Sequence, residues 1–371
     1  MADLMVTRPA LPATARDAAE QAAERARRSR AANTLRAYRA DWADFLMTCE
    51  ALDIPPETTP QVIAVYIDQL ARRGAKVSTI RRRIAAISAH RRAEGLEALS
   101  TREEPLASVL RGIRRDIGAP RKGARPLEIE ELRQVVAACP ETPQGRRDRA
   151  LLLLGFAGGF RRSEISGLDW TPDGDGTAYV DFVPEGVRVR LKRSKTNQTG
   201  ELEEVAICRG QYAATCPVRA LEEWRATSVA AVKGPRDSCD TNTLGFHEPR
   251  YGHDTHTFEA EAPSGPVFRP VDRHGNVGAD RLAGYGVRSV IRNAVARAAK
   301  AGGASASELE AALRGLSGHS LRAGLVTTAF AAGLTSEDVM RQTRHRDLKT
   351  LLGYRRHATA FIGNISGKVG L

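Results

Sequence analysis

Cysteine, lysine and long apolar runs are all scarce in this chain, and each scarcity excludes something. The five cysteines (Cys49, Cys139, Cys208, Cys216 and Cys239) are odd in number, and none belongs to a CxxC pair. That pattern gives neither a disulfide framework nor a zinc site, and it fits the ordinary thiols of a reducing compartment. The longest apolar stretch, Ala150 to Phe160, is too short to span a bilayer. The first residues carry no apolar signal segment, so the expectation is a soluble cytoplasmic protein without a membrane partner.

What the chain does have is arginine. Only eight of its 56 basic Lys and Arg residues are lysine, and the net charge is +12 with a pI near 9.9. Such a balance implies an anionic partner, of which nucleic acid is the usual one. The guanidinium fork grips phosphate through two parallel hydrogen bonds, which an ammonium does not. A coding bias toward Arg and Ala is the competing explanation. At 371 residues and 42% hydrophobic content, the chain is long enough for two cored domains.

Residues 1–28 are rich in Ala, Arg and Glu with little apolar periodicity, and they read as an N-terminal arm. Residues 29–118 read as an all-α domain of four helices. Leu35, Tyr38, Trp42, Phe45 and Leu46 recur at helical spacing behind Asn33 or Thr34 as cap. Pro60 suits the first turn of a second helix carrying Val62, Val65 and Tyr66. Ser78 caps a third, with Ile80, Ile84 and Ile87 inside, and Leu106, Val109, Leu110, Ile113 and Ile117 mark a fourth. Arg81, Arg82, Arg83, Arg91 and Arg92 leave the isoleucine stripe free, as Arg111, Arg114 and Arg115 leave the stripe of the fourth helix. These arginines are the candidate DNA-facing surface, against a merely solvated face.

Residues 119–126 combine Gly, Pro, Arg121, Lys122 and Arg125, which makes them a basic interdomain linker suited to a phosphate backbone. The second domain covers 127–371. Leu127 to Ala138 and Arg147 to Ala157 read as helices. Ala178 to Val183, Val187 to Leu191 and Glu201 to Ile207 alternate as strands of a small antiparallel sheet. From Pro217 onward the chain is again mostly helical. Residues 235–278 lack periodicity and read as a long surface loop or insertion. The fold class is therefore mainly α with a small antiparallel sheet.

Several polar residues in this second domain suit phosphodiester chemistry. His319 and Arg322 stand at i and i+3 on a helix starting near Ser317 or His319, where free backbone amides favour an anion. The apolar helix ending at Ala157 breaks at Gly158-Gly159 and delivers Phe160-Arg161-Arg162 with Glu164 close behind. Either arginine is open on that reading. His345 and Tyr354 follow, and Tyr354 is the only tyrosine after Tyr285. His247, His253 and His256 make no helical metal motif, because Pro249 follows Glu248 directly. No P-loop accompanies a strand. The expectation is no metal and no cofactor.

These segments resemble three boxes of the tyrosine recombinase (phage integrase) family. Gly159-Phe-Arg-Arg-Ser-Glu-Ile-Ser-Gly-Leu168 is similar to the first arginine box, and Gly318-His-Ser-Leu-Arg-Ala-Gly324 to the second. Thr343-Arg-His345 with Tyr354 resembles the third, and Asn33-Thr-Leu-Arg-Ala-Tyr38 resembles the opening helix of the core-binding domain. The resemblance selects Arg161 over Arg162. It also implies a hairpin lysine, for which Lys195 in Arg193-Ser-Lys-Thr-Asn-Gln198 is preferred to Lys192. Two departures stand out: Arg344 occupies a position where the family usually has Gly, and the 235–278 segment is longer than a minimal member needs.

The resemblance implies a helical core-binding domain and a catalytic domain forming a clamp around double-stranded DNA. It implies a catalytic set of Arg161, Lys195, His319, Arg322, His345 and the nucleophile Tyr354, with Glu164 in support. The activity implied is site-specific cleavage and rejoining through a 3′-phosphotyrosine, by a homotetramer on two duplexes, without metal or ATP. The source implied is bacterial or phage. The alternatives are an accessory DNA-binding protein that has lost catalysis and a type IB topoisomerase.

Overall fold

Apolar residues at three-to-four spacing build the first unit from four helices: α1 (Ala32–Ala51), α2 (Pro60–Arg72), α3 (Val77–Ala93) and α4 (Leu106–Ile117). The computed structural model describes residues 32–118, 123–192, 202–232, 263–348 and 351–354. Between Lys122 and Gly123 the chain divides into two units. In the first, Phe45, Ile63, Tyr66, Ile67, Ile80, Ile84, Ile87, Leu106, Leu110 and Ile113 form one buried core. Pro60 opens α2, and the Thr59 hydroxyl accepts a hydrogen bond from Val62 N, which satisfies a free amide of the first turn. Two expected caps are not caps. Asn33 and Thr34 lie inside α1, and Ser78 lies inside α3 behind Lys76, which makes no side-chain cap bond. Leu46, Val65 and Ile117 stay exposed, each standing at the edge of its helix's apolar stripe.

The second unit is organised around α6 (Pro143–Ala157), which follows α5 (Ile129–Ala137). Leu151, Leu152, Leu153 and Leu154 are all buried, so the second half of α6 is apolar on every side and runs through the core. Thr142 caps it and Pro143 takes its first turn. After the short α7 (Arg162–Ser166) come β1 (Leu168–Asp169), β2 (Ala178–Val183), β3 (Gly186–Leu191) and β4 (Glu203–Cys208). The strands lie in the order β1-β2-β3-β4, with β2, β3 and β4 antiparallel as expected. The two-residue β1 adds a parallel edge, so the sheet is mixed, and two residues are too few to show an alternation in sequence.

The helices α8 (Pro217–Val232), α9 (Gly284–Ala301), α10 (Ala306–Leu313), α11 (Ser320–Ala331) and α12 (Ser336–Thr343) complete the described unit, and residues 351–354 are also helical. Among the described residues no helix is long and apolar enough to cross a membrane. The 235–278 segment is not surface loop throughout. Val267 and Phe268 are buried, Val267 N donates to Leu168 O, and Trp224 Nε1 donates to Val267 O. These two apolar residues cover the edge that β1 presents, a role no periodicity announces.

The chain after the linker runs against α11. Leu127 N donates to Ser320 O, and a Cβ on Gly324 would lie 1.8 Å from Leu127 O. Gly324→Ala should therefore force this segment off the helix and cost about 2 kcal/mol or more, the usual range for overpacking or worse. Thermal or urea unfolding of the full chain checks it, and an unchanged midpoint would sink this account of Gly324.

Candidate active site

Glycine geometry at the end of α6 sets up the site. Gly158 caps the helix, and Gly159 turns left-handed at φ +55°, where a Cβ would also meet Thr343 Cγ2 at 2.9 Å. Both constraints require glycine. The turn buries Phe160 and makes Arg161 the N-cap residue of α7. Glu164, three residues on and almost wholly buried, reaches back to that cap. Its Oε2 accepts from Arg161 N at 2.9 Å and its Oε1 from Arg161 Nη1 at 2.7 Å. The same carboxylate thus holds the backbone and the guanidinium of one residue. Arg162 is exposed instead, with its side chain against Gly318 and Gly284.

The second box begins where α11 begins. His319 is the N-cap residue and exposed, while Arg322, one turn in, is 6% exposed. Arg322 Nη1 donates to Gly159 O at 2.7 Å, which joins the two boxes through one buried hydrogen bond. Burial, followed by the neighbouring charge of Arg161, pulls the Arg322 guanidinium down to about 10. Glu164 and Tyr354 oppose that shift, which places the phenol within electrostatic reach of Arg322. Tyr354 itself is half-buried against the cluster of Val326, Phe330, Val339 and Leu351.

The third segment follows α12. Thr343 is fully buried; its hydroxyl donates to Val339 O and lies 2.6 Å from His345 Nδ1. A carbonyl can only accept, so the hydroxyl proton belongs to that bond and His345 Nδ1–H donates to Thr343 Oγ1. The neutral ring then presents a bare Nε2. Gln342 Nε2 donates to Ala157 O and Ala206 O, tying the end of α12 to α6 and β4. Arg344 adopts φ +57° and ψ +42°, and its Nη2 donates to Glu164 Oε2 at 2.7 Å. Thr343, Gln342 and Arg344 are not among the expected site residues. They flank His345 in sequence, but nothing local tells which of them turns inward.

His345 has its pKa pulled from 6.5 to about 4, first by burial and then by the charges of Arg322, Arg161 and Arg344, with Asp347 opposing. Between those two values the unfolded chain binds a proton that the folded chain does not. Acidification from pH 6.5 toward pH 4 therefore removes stability, and the contribution is fully present above pH 6.5. Urea unfolding at several pH values should show this loss, and His345→Asn should flatten it. An unchanged slope in the variant would count against the burial of a neutral imidazole.

The structure thus gathers Arg161, Glu164, Arg322, Arg344, His345 and Tyr354, with His319 one turn before Arg322. Lys195, Arg121 and Lys122 lie outside the described residues, as do His247, His253 and His256. Among the described residues no group of His, Cys, Asp or Glu is placed to hold a metal ion. The expected arginine face of the first unit is narrowed. Arg81, Arg82 and Arg92 are exposed, although Arg82 also pairs with Asp41. Arg83 instead turns inward, bonding Asp44 and the Tyr66 hydroxyl, and Arg91 is held by Thr58 O and Glu97 O. Unpaired inward carboxylates and carbonyls needed donors, and long side chains beside the isoleucine stripe could reach them. Arg81, Arg92 and Arg114 line a cleft of about 390 Å³ in this unit. Arg125 is paired with Glu131 at 2.7 Å, so it is not free for a backbone phosphate.

No family model matches the chain. An integrase/recombinase described as a xerD homolog, from Selenomonas ruminantium, is 31% identical over 333 residues, covering 87% of this chain and 81% of the relative. The tyrosine recombinase XerC of Xylella fastidiosa is 32% identical over 117 residues, about a third of each chain. Among solved structures, the Tn1549 transposon integrase in complex with transposon right end DNA matches with a TM-score of 0.53 at 13% identity. That match covers 93% of this chain and 95% of the integrase, and it shows a shared fold.

Proposed function

The chain belongs to the tyrosine recombinase family of site-specific recombinases, and from that premise we propose that it cleaves and rejoins duplex DNA through Tyr354. The observation that carries this reading is the junction of the two arginine boxes. Arg161 on Glu164 and Arg322 on Gly159 O stand as neighbouring, largely buried cations, and Tyr354 lies within reach of the second. Two fixed guanidinium groups in a buried setting suit an anion with two acceptor oxygens.

Attack of the phenolic oxygen on a phosphodiester forms a phosphorus–oxygen bond and breaks the bond to the 5′ oxygen. Charge builds on the two non-bridging oxygens in between, and Arg161 and Arg322 neutralise it. His319 accepts the proton that Tyr354 loses. Lys195 delivers a proton to the departing 5′ oxygen, leaving a 3′-phosphotyrosine and a 5′-hydroxyl. The bond energy is conserved, so a 5′-hydroxyl from another strand reseals the link without ATP. His345, unprotonated in the free protein, gains basicity when a phosphate anion enters beside it and then donates through Nε2.

DNA as partner is supported by the basic balance of the chain and by the DNA complex of the similarly folded integrase. Arg81, Arg92 and Arg114 supply phosphate contacts from the first unit, with Arg121 and Lys122 from the linker. Assembly is proposed as a homotetramer on two duplexes.

A pool of nicked duplexes with randomised arms tests the reading whatever the sequence of the site. Covalent protein–DNA adducts should form in the presence of EDTA, and peptide mapping should find the nucleotide on Tyr354. Sequencing the trapped DNA then gives the site. DNA binding with no adduct would favour an accessory protein, and relaxation of nonspecific supercoiled plasmid would favour a topoisomerase.

A further inference from the structure

Arg344 stands in a place that disfavours it twice. Its backbone is left-handed, a conformation that glycine takes freely and a β-carbon resists. Its side chain is 8% exposed, and its Nε and Nη1 are buried with no hydrogen-bond partner among the described residues. Burying a guanidinium with two unanswered donors is unfavourable, and burial duly lowers its pKa despite Glu164. The favourable contacts are few: Nη2 on Glu164 Oε2, and the guanidinium over the Phe160 ring at 5.2 Å.

We propose that Arg344 is a positioning residue of the site, clamping Glu164 onto Arg161 and anchoring the turn that carries His345. The inference rests on the recombinase reading of that site. Glu164 Oε1 holds the Arg161 guanidinium, and its Oε2 is shared by Arg161 N and Arg344 Nη2. Removing Arg344 would leave Oε2 held by Arg161 N alone and loosen the carboxylate. The clamp also bridges three segments: the end of α12, the Phe160 turn and α7. His345, the next residue, is held on its other side through Thr343, a residue of the same turn. A second consequence is electrostatic. Arg161, Arg322 and Arg344 stand around the carboxylate of Glu164, with Glu203 also acting on Arg344, so Arg344 adds a positive charge to the pocket. The groups acting on His345 are Arg322, Arg161 and Arg344, with Asp347 opposite.

Arg344→Gly is the decisive variant, because glycine suits the backbone and removes only the side chain. With saturating DNA, adduct formation should slow on the order of tenfold, since small misplacements of catalytic groups carry such costs, while DNA affinity stays close to wild type. Arg344→Lys, which keeps the charge, should recover part of the rate. In the DNA-free protein, NMR titration of His345 should show a higher midpoint in Arg344→Gly than in wild type, with Arg344→Lys in between. A wild-type rate and an unmoved His345 titration in the glycine variant would overturn the proposal. So would a slow glycine variant that lysine does not rescue and whose His345 is unmoved, since that marks a purely structural staple. Failure of the wild type to form a Tyr354 adduct would instead sink the recombinase reading, and the His345 titration, which needs no DNA, would still decide the role of Arg344.

Discussion

Tyr354→Phe should form no covalent adduct with any DNA while binding its site as the wild type does. The substitution removes one oxygen and nothing else. The ring packs against Val326, Phe330, Val339 and Leu351, so phenylalanine keeps the apolar contacts and the melting temperature should barely move. A phenol must lose its proton as it attacks, and that attack depends on the cations beside it. Arg322, whose guanidinium is sensitive to Tyr354, is one such group. Among the described residues, Tyr285 is 78% exposed on α9, while Ser320 Oγ accepts from Ser317 N and Ser317 Oγ from His319 N at the start of α11. The readout is a gel-resolved adduct from a nicked site together with a binding isotherm. An adduct that survives the substitution would remove Tyr354 from the mechanism.

Arg322→Ala should lower the rate of adduct formation at saturating DNA by about 10²–10³-fold, the range seen when one preorganised charge stabiliser is deleted. Two effects combine. The developing charge on phosphorus loses a cation, and Gly159 O, buried in the turn that sets Arg161, loses its donor. An unanswered buried carbonyl costs about 1–3 kcal/mol of stability, so the melting temperature should fall as well. Arg322→Lys separates the two contributions. A lysine restores one positive charge but cannot keep a donor on Gly159 O while presenting a planar fork to phosphate. It should recover stability more than rate. Arg322 is also the largest charged influence holding His345 below its ordinary pKa, so that titration should move up in the alanine variant. A rate loss under tenfold in Arg322→Ala, in a folded protein, would mean that this guanidinium does not meet the reacting phosphate.

The helical parts of the fold were legible because burial of an apolar stripe is a local pattern. The four helices of the first unit and the apolar α6 follow directly from it. So do the three antiparallel strands, whose alternation is local too. The mixed edge of the sheet was not legible, because β1 is two residues long and its partner on the other side, Gly265 to Val267, comes from a stretch with no period. Caps failed for a related reason: Ser78 is a good capping residue by chemistry, but the cap position of α3 falls two residues earlier, on Lys76. The arginines of α3 divided in a way no spacing could foresee. Arg83 turned in toward Asp44 and Tyr66, while Arg81 and Arg92 stayed out on the cleft.

Residue types at their spacings were determined by the sequence alone. Gly159 before Arg161, Glu164 three residues later, His319 three before Arg322, and His345 with Tyr354 are statements about order along the chain, and they suffice to nominate phosphodiester chemistry. Tertiary structure decided which of those groups meet and in what state. Arg322 reaches the carbonyl of Gly159 across 163 residues, and Arg344 reaches Glu164 across 180. Those two contacts join the segments that carry the three boxes. They also give His345 its cationic surroundings and make a structural part of a residue that the sequence marks only as a departure. Local periodicity cannot carry such information, because the energy of a buried charge depends on partners that only the folded chain brings within a few ångströms.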